Sequence, residues 1–330
     1  MVLNKRMDWI DSIKGFGAIL VILGHLNPMA PIECYIYSFH MPLFFFLSGI
    51  LKSRQKNFVP FLQKKAKSLL IPFVIWNLVS VLYRLIIHIP IKSVIIETFF
   101  LQGKMPHNTP IWFLLTLFMC EVTYHWFYLH RIPNWLIVTF AAAISPFVSE
   151  LSQLPFTIYI LPISILFYTL GVMFSNIILQ DNKLINIKRC ISPILLVFSI
   201  LFGVVLNDRI SMANGYYHNF LYFYIASISG ILFWTMLFKA FSKIKLLAKI
   251  GKQSLFLMCF QYMFFSVIDI FSKKLFSYSV WYEVNTMKAI IATIGTLLIA
   301  YLIIWIADTL GKRFPIISRI ALLFGIRPLS

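Results

Sequence analysis

Apolar residues in this chain come in long runs, without the strict alternation of a half-buried strand, and short polar or basic connections separate them. Runs of roughly 17 to 23 residues are long enough for a helix to cross a hydrocarbon core about 30 Å thick. Counting them predicts ten spanning helices, near 10–27, 35–51, 69–89, 111–129, 134–149, 156–179, 191–207, 220–241, 254–271 and 286–307. An even number puts both termini on one side. The connection after the second run carries Lys52, Arg54, Lys56, Lys64, Lys65 and Lys67 without an acid, and the one after the eighth carries Lys239, Lys243, Lys245, Lys249 and Lys252. The alternate connections carry Glu33, Glu97, Glu150, Asp208 and Glu283. By the excess of lysine and arginine in cytoplasmic loops, both termini are expected in the cytoplasm. Residues 90–110 form the longest gap and hold Pro90, Pro106 and Pro110, too little for a soluble domain. The expectation is an all-α, polytopic protein of the cytoplasmic (inner) membrane, one membrane-embedded domain over 1–330. Lys5 and Arg6 ahead of an apolar run resemble a signal peptide, but no small-residue cleavage site follows, so the run reads as a retained anchor. After Asp308, four cations around the apolar stretch Phe314 to Phe324 predict a short interfacial helix.

Composition agrees: 60% hydrophobic, 17% aromatic and 12% charged is far from a soluble domain. A net charge of +18 would point a soluble chain toward nucleic acid, but the alternate-loop placement assigns it to membrane orientation, with membrane lipids as partners and no nucleic acid. The four cysteines, Cys34, Cys120, Cys190 and Cys259, have no spacing suited to a metal and read as small apolar filler. No internal repeat appears, which counts against a secondary transporter.

The candidate chemistry lies in the few polar residues inside apolar runs. Lys14 and His25 are eleven residues apart, three turns plus about 20°, which puts them on one helix face about 16 Å apart, and Asp11 joins that face. Ionisable groups at bilayer depth are costly and usually face a bundle or a wet cavity; the structural alternative is that Lys14 snorkels and His25 caps the far end. His40 precedes Pro42, so it either joins His25 or bonds a carbonyl that the proline frees. Lys64, Lys65 and Lys67 either bind anionic lipid or hold the phosphates of a cytoplasmic cofactor. Arg84 with His88 reads as a snorkelling pair, Glu121 with His125 as mutually satisfied, Trp112 as part of an interfacial aromatic belt, and Asp269 as interfacial.

Trp9-Ile10-Asp11, then Lys14-Gly15 and His25 ten residues on, resembles the first helix of the membrane acyltransferase-3 family. Phe39-His40-Met41-Pro42-Leu43-Phe44-Phe45-Phe46-Leu47-Ser48-Gly49 is similar to the family's second helix, and the basic cluster before Leu70-Ile71-Pro72-Phe73 to its third. Trp112-Phe113-Leu114, Phe167-Tyr168 with Leu170-Gly171, and Ile250-Gly251-Lys252-Gln253-Ser254-Leu255 match later patterns, so the likeness spans essentially the whole chain. Lys14 stands where many members carry arginine, as in the branch resembling fucose 4-O-acetylases, and Gln261 stands where members often carry histidine.

The resemblance implies transfer of an acyl group, usually acetyl, from cytoplasmic acetyl-CoA to a hydroxyl of a surface polysaccharide or lipid-linked sugar, with no metal. It assigns Lys14 and His25 to the family's charged signature and Lys64, Lys65 and Lys67 to its donor-binding basic motif. A sugar hydroxyl is a poor nucleophile near neutral pH, so an imidazole is the natural group to take its proton. His25 is the candidate base, or it accepts the acyl group itself. Lys14 either contacts the donor's body or pairs with Asp11, and His40 is the second histidine of that end. From another class, a transporter or flippase of a lipid-linked glycan would equally explain intramembrane charge. It gives no reason for the Lys14 to His25 register.

Overall fold

The computed structural model describes residues 7–53, 55–86, 92, 108–152, 154–180, 185–241, 244–276 and 285–329. These are helical throughout, with no strand among the described residues. The α-helices are α1 (Asp8–Gly24), α2 (Ala30–Ile50), α3 (Phe58–Lys65), α4 (Ile71–Ile86), α5 (Trp112–Leu129), α6 (Asn134–Ser149), α7 (Leu161–Gln180), α8 (Ile185–Ile200), α9 (Phe220–Ala240), α10 (Lys245–Lys252), α11 (Ser254–Phe276), α12 (Thr286–Arg313) and α13 (Pro315–Leu323). Every apolar run counted in the sequence carries a helix. Four are long and apolar enough to cross a membrane (58–86, 155–179, 220–240 and 286–313), and α10 with α11, bent by 75°, makes a fifth. A short helix forms after Asp308, as expected, in α13.

Two turns of π-helix adjust the register. Ala66–Leu70 joins α3 to α4 and Leu201–Val205 extends α8. Each inserts a residue into the turn, so positions on either side stop sharing a face. α12 is capped by the Asn285 side chain, which accepts from the Met287 and Lys288 N–H groups and satisfies two of the donors that a helix start leaves unpaired.

The contacts divide the chain into two compact units, one of residues 1–40, 182–210 and 218–330, the other of residues 41–181 and 211–217. In the first, α1 packs along α10, α9, α11 and α12. At the α1–α10 crossing the backbones touch: a Cβ on Gly15 would overlap the Leu247 carbonyl, and one on Gly251 the Asp11 carbonyl. The Ile244 N–H donates to Ser12 Oγ at 3.2 Å and fastens the same end. Trp234 of α9 packs on Phe16 (ring centroids 4.2 Å apart) and donates its indole N–H to Tyr35. Toward the other end of α1, Ile22, Leu26, Phe265 and Ala289 form a buried cluster joining α1, α11 and α12.

In the second unit, the last turns of α2 cross α7 on a similar pair: a Cβ on Gly49 would overlap the Tyr168 carbonyl, and one on Gly171 the Phe46 carbonyl. Trp112, Phe113 and Leu114 are all buried, Phe113 against Phe44 and Phe45. This triplet therefore packs inside the unit, correcting the aromatic-belt reading. Arg84 is also buried, at 8% exposure, rather than reaching out beside headgroups; His88, its expected neighbour, lies outside the described residues. Asp269 is buried too and pairs with Lys273 at 2.6 Å, one turn along α11.

Candidate active site

His25 sits just past the last residue of α1, its backbone N–H still bonded to Val21, and its ring is half-buried. Two phenols meet its Nδ1: Tyr37 Oη of α2 at 3.0 Å and Tyr262 Oη of α11 at 3.3 Å. The buried cluster beneath Tyr262 fixes the spacing of α1 and α11 and so the approach of that hydroxyl. The Tyr37 hydroxyl also lies 3.5 Å from the Gly24 carbonyl. If Tyr37 donates there, its oxygen is open to accept from Nδ1–H, and the ring is held as the tautomer with its Nε2 lone pair unprotonated.

His40 lies across Tyr37, the two ring centres 5.0 Å apart, and His25 lies 6.0 Å from Tyr37. The fold thus brings both histidines against one tyrosine. His40 is not held by the carbonyl that Pro42 frees. That carbonyl belongs to Ser38, four residues back, and it accepts the Ser227 hydroxyl of α9 at 2.5 Å. His40 Nδ1 donates instead to the Ile36 carbonyl at 2.7 Å. A carbonyl only accepts, so His40 carries its proton on Nδ1 and presents a bare Nε2.

Three further groups complete this end, and the sequence reading passed over them. Arg209, beyond the π-turn that extends α8, places Nε 2.7 Å from Glu33 Oε1. Its guanidinium lies 5.0 Å from the Tyr37 ring centre and hydrogen-bonds the Tyr37 hydroxyl. Glu33 and Tyr37 are one turn apart on α2, which puts both within reach of one arginine. Tyr37 lies in the second apolar run, two residues before the Phe39 to Gly49 string, and its residue type alone signals no role. Tyr262 follows Gln261, the position where a histidine was missed, so the polar contact reaches His25 from the next residue. Gln261 itself is fully buried and donates to the Met258 carbonyl.

Asp11 and Lys14 belong to the other end of α1. Asp11 is buried at the α1–α10 crossing, where its carbonyl faces Gly251, and Lys14 is half-buried. The basic run lies in the second unit and does not act as one cluster. Lys65 is bound to Glu121 of α5 at 2.7 Å, whereas Lys64 and Lys67 are exposed. Lys64 and Lys67 are three positions apart and share a face, while Lys65 points about 100° away from Lys64, which accounts for the split in facing. The Glu121–His125 pair read from spacing therefore does not form, and the His125 ring stacks on Phe61 at 3.8 Å. Lys52 lies over Tyr128, 4.2 Å from its ring centre.

Several helices able to span a membrane, together with an imidazole held between two phenols where α1 ends, define a multi-pass membrane protein with a polar site at a helix terminus. The chain belongs to the family described as an acyltransferase domain, whose pattern matches residues 7–305. Two curated relatives are both nodulation protein NolL. The one from Mesorhizobium japonicum is 28% identical over 208 residues, 58% of this chain and 54% of the relative. The one from Sinorhizobium fredii is 28% identical over 201 residues, 56% of this chain and 53% of the relative. The chain spans about half the length of the curated relatives it matches. No solved structure matches it.

Proposed function

We infer that this protein is a membrane O-acyltransferase that moves an acetyl group from cytoplasmic acetyl-CoA to a hydroxyl of a surface polysaccharide or a lipid-linked sugar. Ten spans with both termini cytoplasmic in the inner membrane fit this reading. The observation that carries it, beyond family membership, is His25 with two phenolic oxygens on Nδ1. A phenol that accepts from Nδ1–H leaves Nε2 as a base and stabilises the imidazolium that forms.

In the reaction, His25 Nε2 takes the acceptor's hydroxyl proton as that oxygen attacks the thioester carbonyl. The carbon–sulfur bond then breaks, the acetyl group stays on the acceptor oxygen, and the thiolate of coenzyme A leaves and regains a proton. Lys64 and Lys67, exposed and without an acid between them, suit the donor's phosphates as point charges. Lys14, about 16 Å along α1 from His25, suits the donor's body.

The test is acetyl transfer from labelled acetyl-CoA by purified protein in vesicles, normalised to folded protein. His25→Ala should lose on the order of 10² to 10⁴-fold while the protein still inserts, because deleting an imidazole leaves no buried charge unpaired. Near-normal transfer by His25→Ala would remove the assignment and point to His40. An acetylated protein trapped in the wild type and lost in His25→Ala would replace direct transfer by a covalent route.

A further inference from the structure

This inference rests on His25 being the base. Among the described residues, no carboxylate, the usual partner that orients a catalytic imidazole, bonds its Nδ1. There is instead a chain of three groups: the Tyr37 hydroxyl at 3.0 Å, the Arg209 guanidinium bonded to that hydroxyl, and Glu33 at 2.7 Å from Arg209 Nε. A guanidinium offers five N–H donors in one plane, so the bond from Nε to Glu33 leaves others for Tyr37 and fixes their direction. Glu33 is largely buried and Arg209 about half-exposed, a geometry in which the pair is held rather than incidental.

We propose that the Glu33–Arg209 pair is a positioning device for the acyl transfer: Arg209 fixes the Tyr37 hydroxyl against His25 Nδ1, and Glu33 cancels the guanidinium charge so that His25 can become an imidazolium as it takes the proton. Without Glu33, an unopposed cation one hydrogen bond beyond Tyr37 would act against that imidazolium. At this separation and partial burial, the effect on its ionisation is on the order of one pH unit.

The other ionisable groups around His25 are His40 across Tyr37, Tyr262 and the Asp269–Lys273 pair on α11, and the exposed Lys288 in the first turn of α12. Asp11 and Lys14 lie back along α1. α9 brings Tyr222, Tyr224 and Lys239, and α10 brings Lys245, Lys249 and Lys252. All are the same in the variants below, so their influence cancels. Burial holds the Glu33 carboxyl above the ordinary glutamate range against the opposing pull of Arg209. As pH falls, the Glu33 carboxylate is therefore protonated before an exposed one would be, Arg209 is left unopposed, and the molecule comes to resemble Glu33→Gln.

The experiment uses the purified full chain, labelled acetyl-CoA as donor, water as acceptor and release of labelled acetate as the readout, followed between about pH 5 and pH 9. Glu33→Gln leaves the guanidinium unopposed. The acid limb of the rate should move to lower pH and the plateau should fall, as expected of a weaker base. Arg209→Gln leaves the carboxylate alone, and the limb should move to higher pH. In the double variant the limb should return near the wild type with a lowered plateau, because Tyr37 is no longer held. Arg209→Lys should keep the limb in place while lowering kcat, since the planar fork is lost.

Limbs that coincide with the wild type in Glu33→Gln and Arg209→Gln, or that move in the same direction, would overturn the proposal. If Arg209→Gln does not fold, Glu33→Gln against the double variant carries the same sign. His25→Ala separates the two readings: wild-type acetate release in that variant removes the base and this inference with it. A dead His25→Ala beside unmoved limbs removes this inference alone.

Discussion

Replacing Gly15 or Gly251 by alanine should show whether the α1–α10 crossing holds up the helix that carries Asp11, Lys14 and His25. A Cβ on Gly15 would overlap the Leu247 carbonyl oxygen and lie 2.8 Å from its carbon and 2.9 Å from the Gly251 nitrogen; one on Gly251 would lie 2.8 Å from both the Asp11 carbonyl carbon and the Gly15 nitrogen. Cβ atoms essentially never sit closer than 3.0 Å to a neighbour, and the atoms in the way are backbone, so a rotamer change cannot relieve the clash. The helices must part by about 1 Å, which forfeits up to half of each dispersion contact along the crossing and costs about 1–3 kcal/mol as overpacking. Small residues are the usual means by which membrane helices approach so closely. One separation relieves both overlaps, so the double variant should cost clearly less than the two singles added. Gly295, in the middle of α12 with nothing within 4 Å of its would-be Cβ, is the control. Alanine there should be neutral or stabilise by up to about 1 kcal/mol. The assay is thermal unfolding of purified protein in detergent, read by loss of monodisperse material. Neutral single variants, or a double variant that simply adds, would refute the close crossing.

The split of the basic run makes another test. Lys65→Gln strands Glu121, which costs about 3–5 kcal/mol for a fully buried pair and somewhat less with this half-buried lysine, so the yield of folded protein should fall. Lys64→Gln with Lys67→Gln should instead leave folding intact, raise KM for acetyl-CoA and make it less sensitive to salt. At the break between α10 and α11, Gln253 donates to the Arg327 carbonyl at 2.7 Å and accepts its N–H at 2.9 Å. Gln253→Ala should release the tail after Gly325 to proteolysis, at about 1–3 kcal/mol for two neutral hydrogen bonds; an equally protected tail would show that the clamp is incidental.

Helix positions were legible from the sequence because a run of apolar residues leaves the backbone few other ways to satisfy its hydrogen bonds. Facing was less legible. Three lysines within four positions looked like one cluster, yet the helical step of about 100° per residue puts Lys65 on Glu121 and leaves Lys64 and Lys67 together on an exposed face. Spacing suggested that Glu121 and His125 satisfy each other, since each is the other's nearest partner along the chain. The fold supplied better ones, Lys65 and the Phe61 ring, from a helix some sixty residues earlier.

The family-like motifs divide in two once the contacts are known, and the division shows why the site was only half visible. Lys14-Gly15 and Gly251-Lys252 meet backbone to backbone, as do Phe46 to Gly49 with Tyr168 to Gly171. Much of what recurs in those strings is therefore the space a helix crossing requires, with no chemistry needed to explain it. His25 stood out because an imidazole in an apolar helix has no packing reason to be there. Tyr37, Tyr262, Glu33 and Arg209 did not stand out, because tyrosine is common in this chain and a connection such as Asn207-Asp208-Arg209 reads as ordinary solvated polarity. Their placement depends on three separate segments converging beside one imidazole. The start of α2, the end of α8 and the middle of α11 lie far apart in sequence, and no local spacing encodes that they meet at His25.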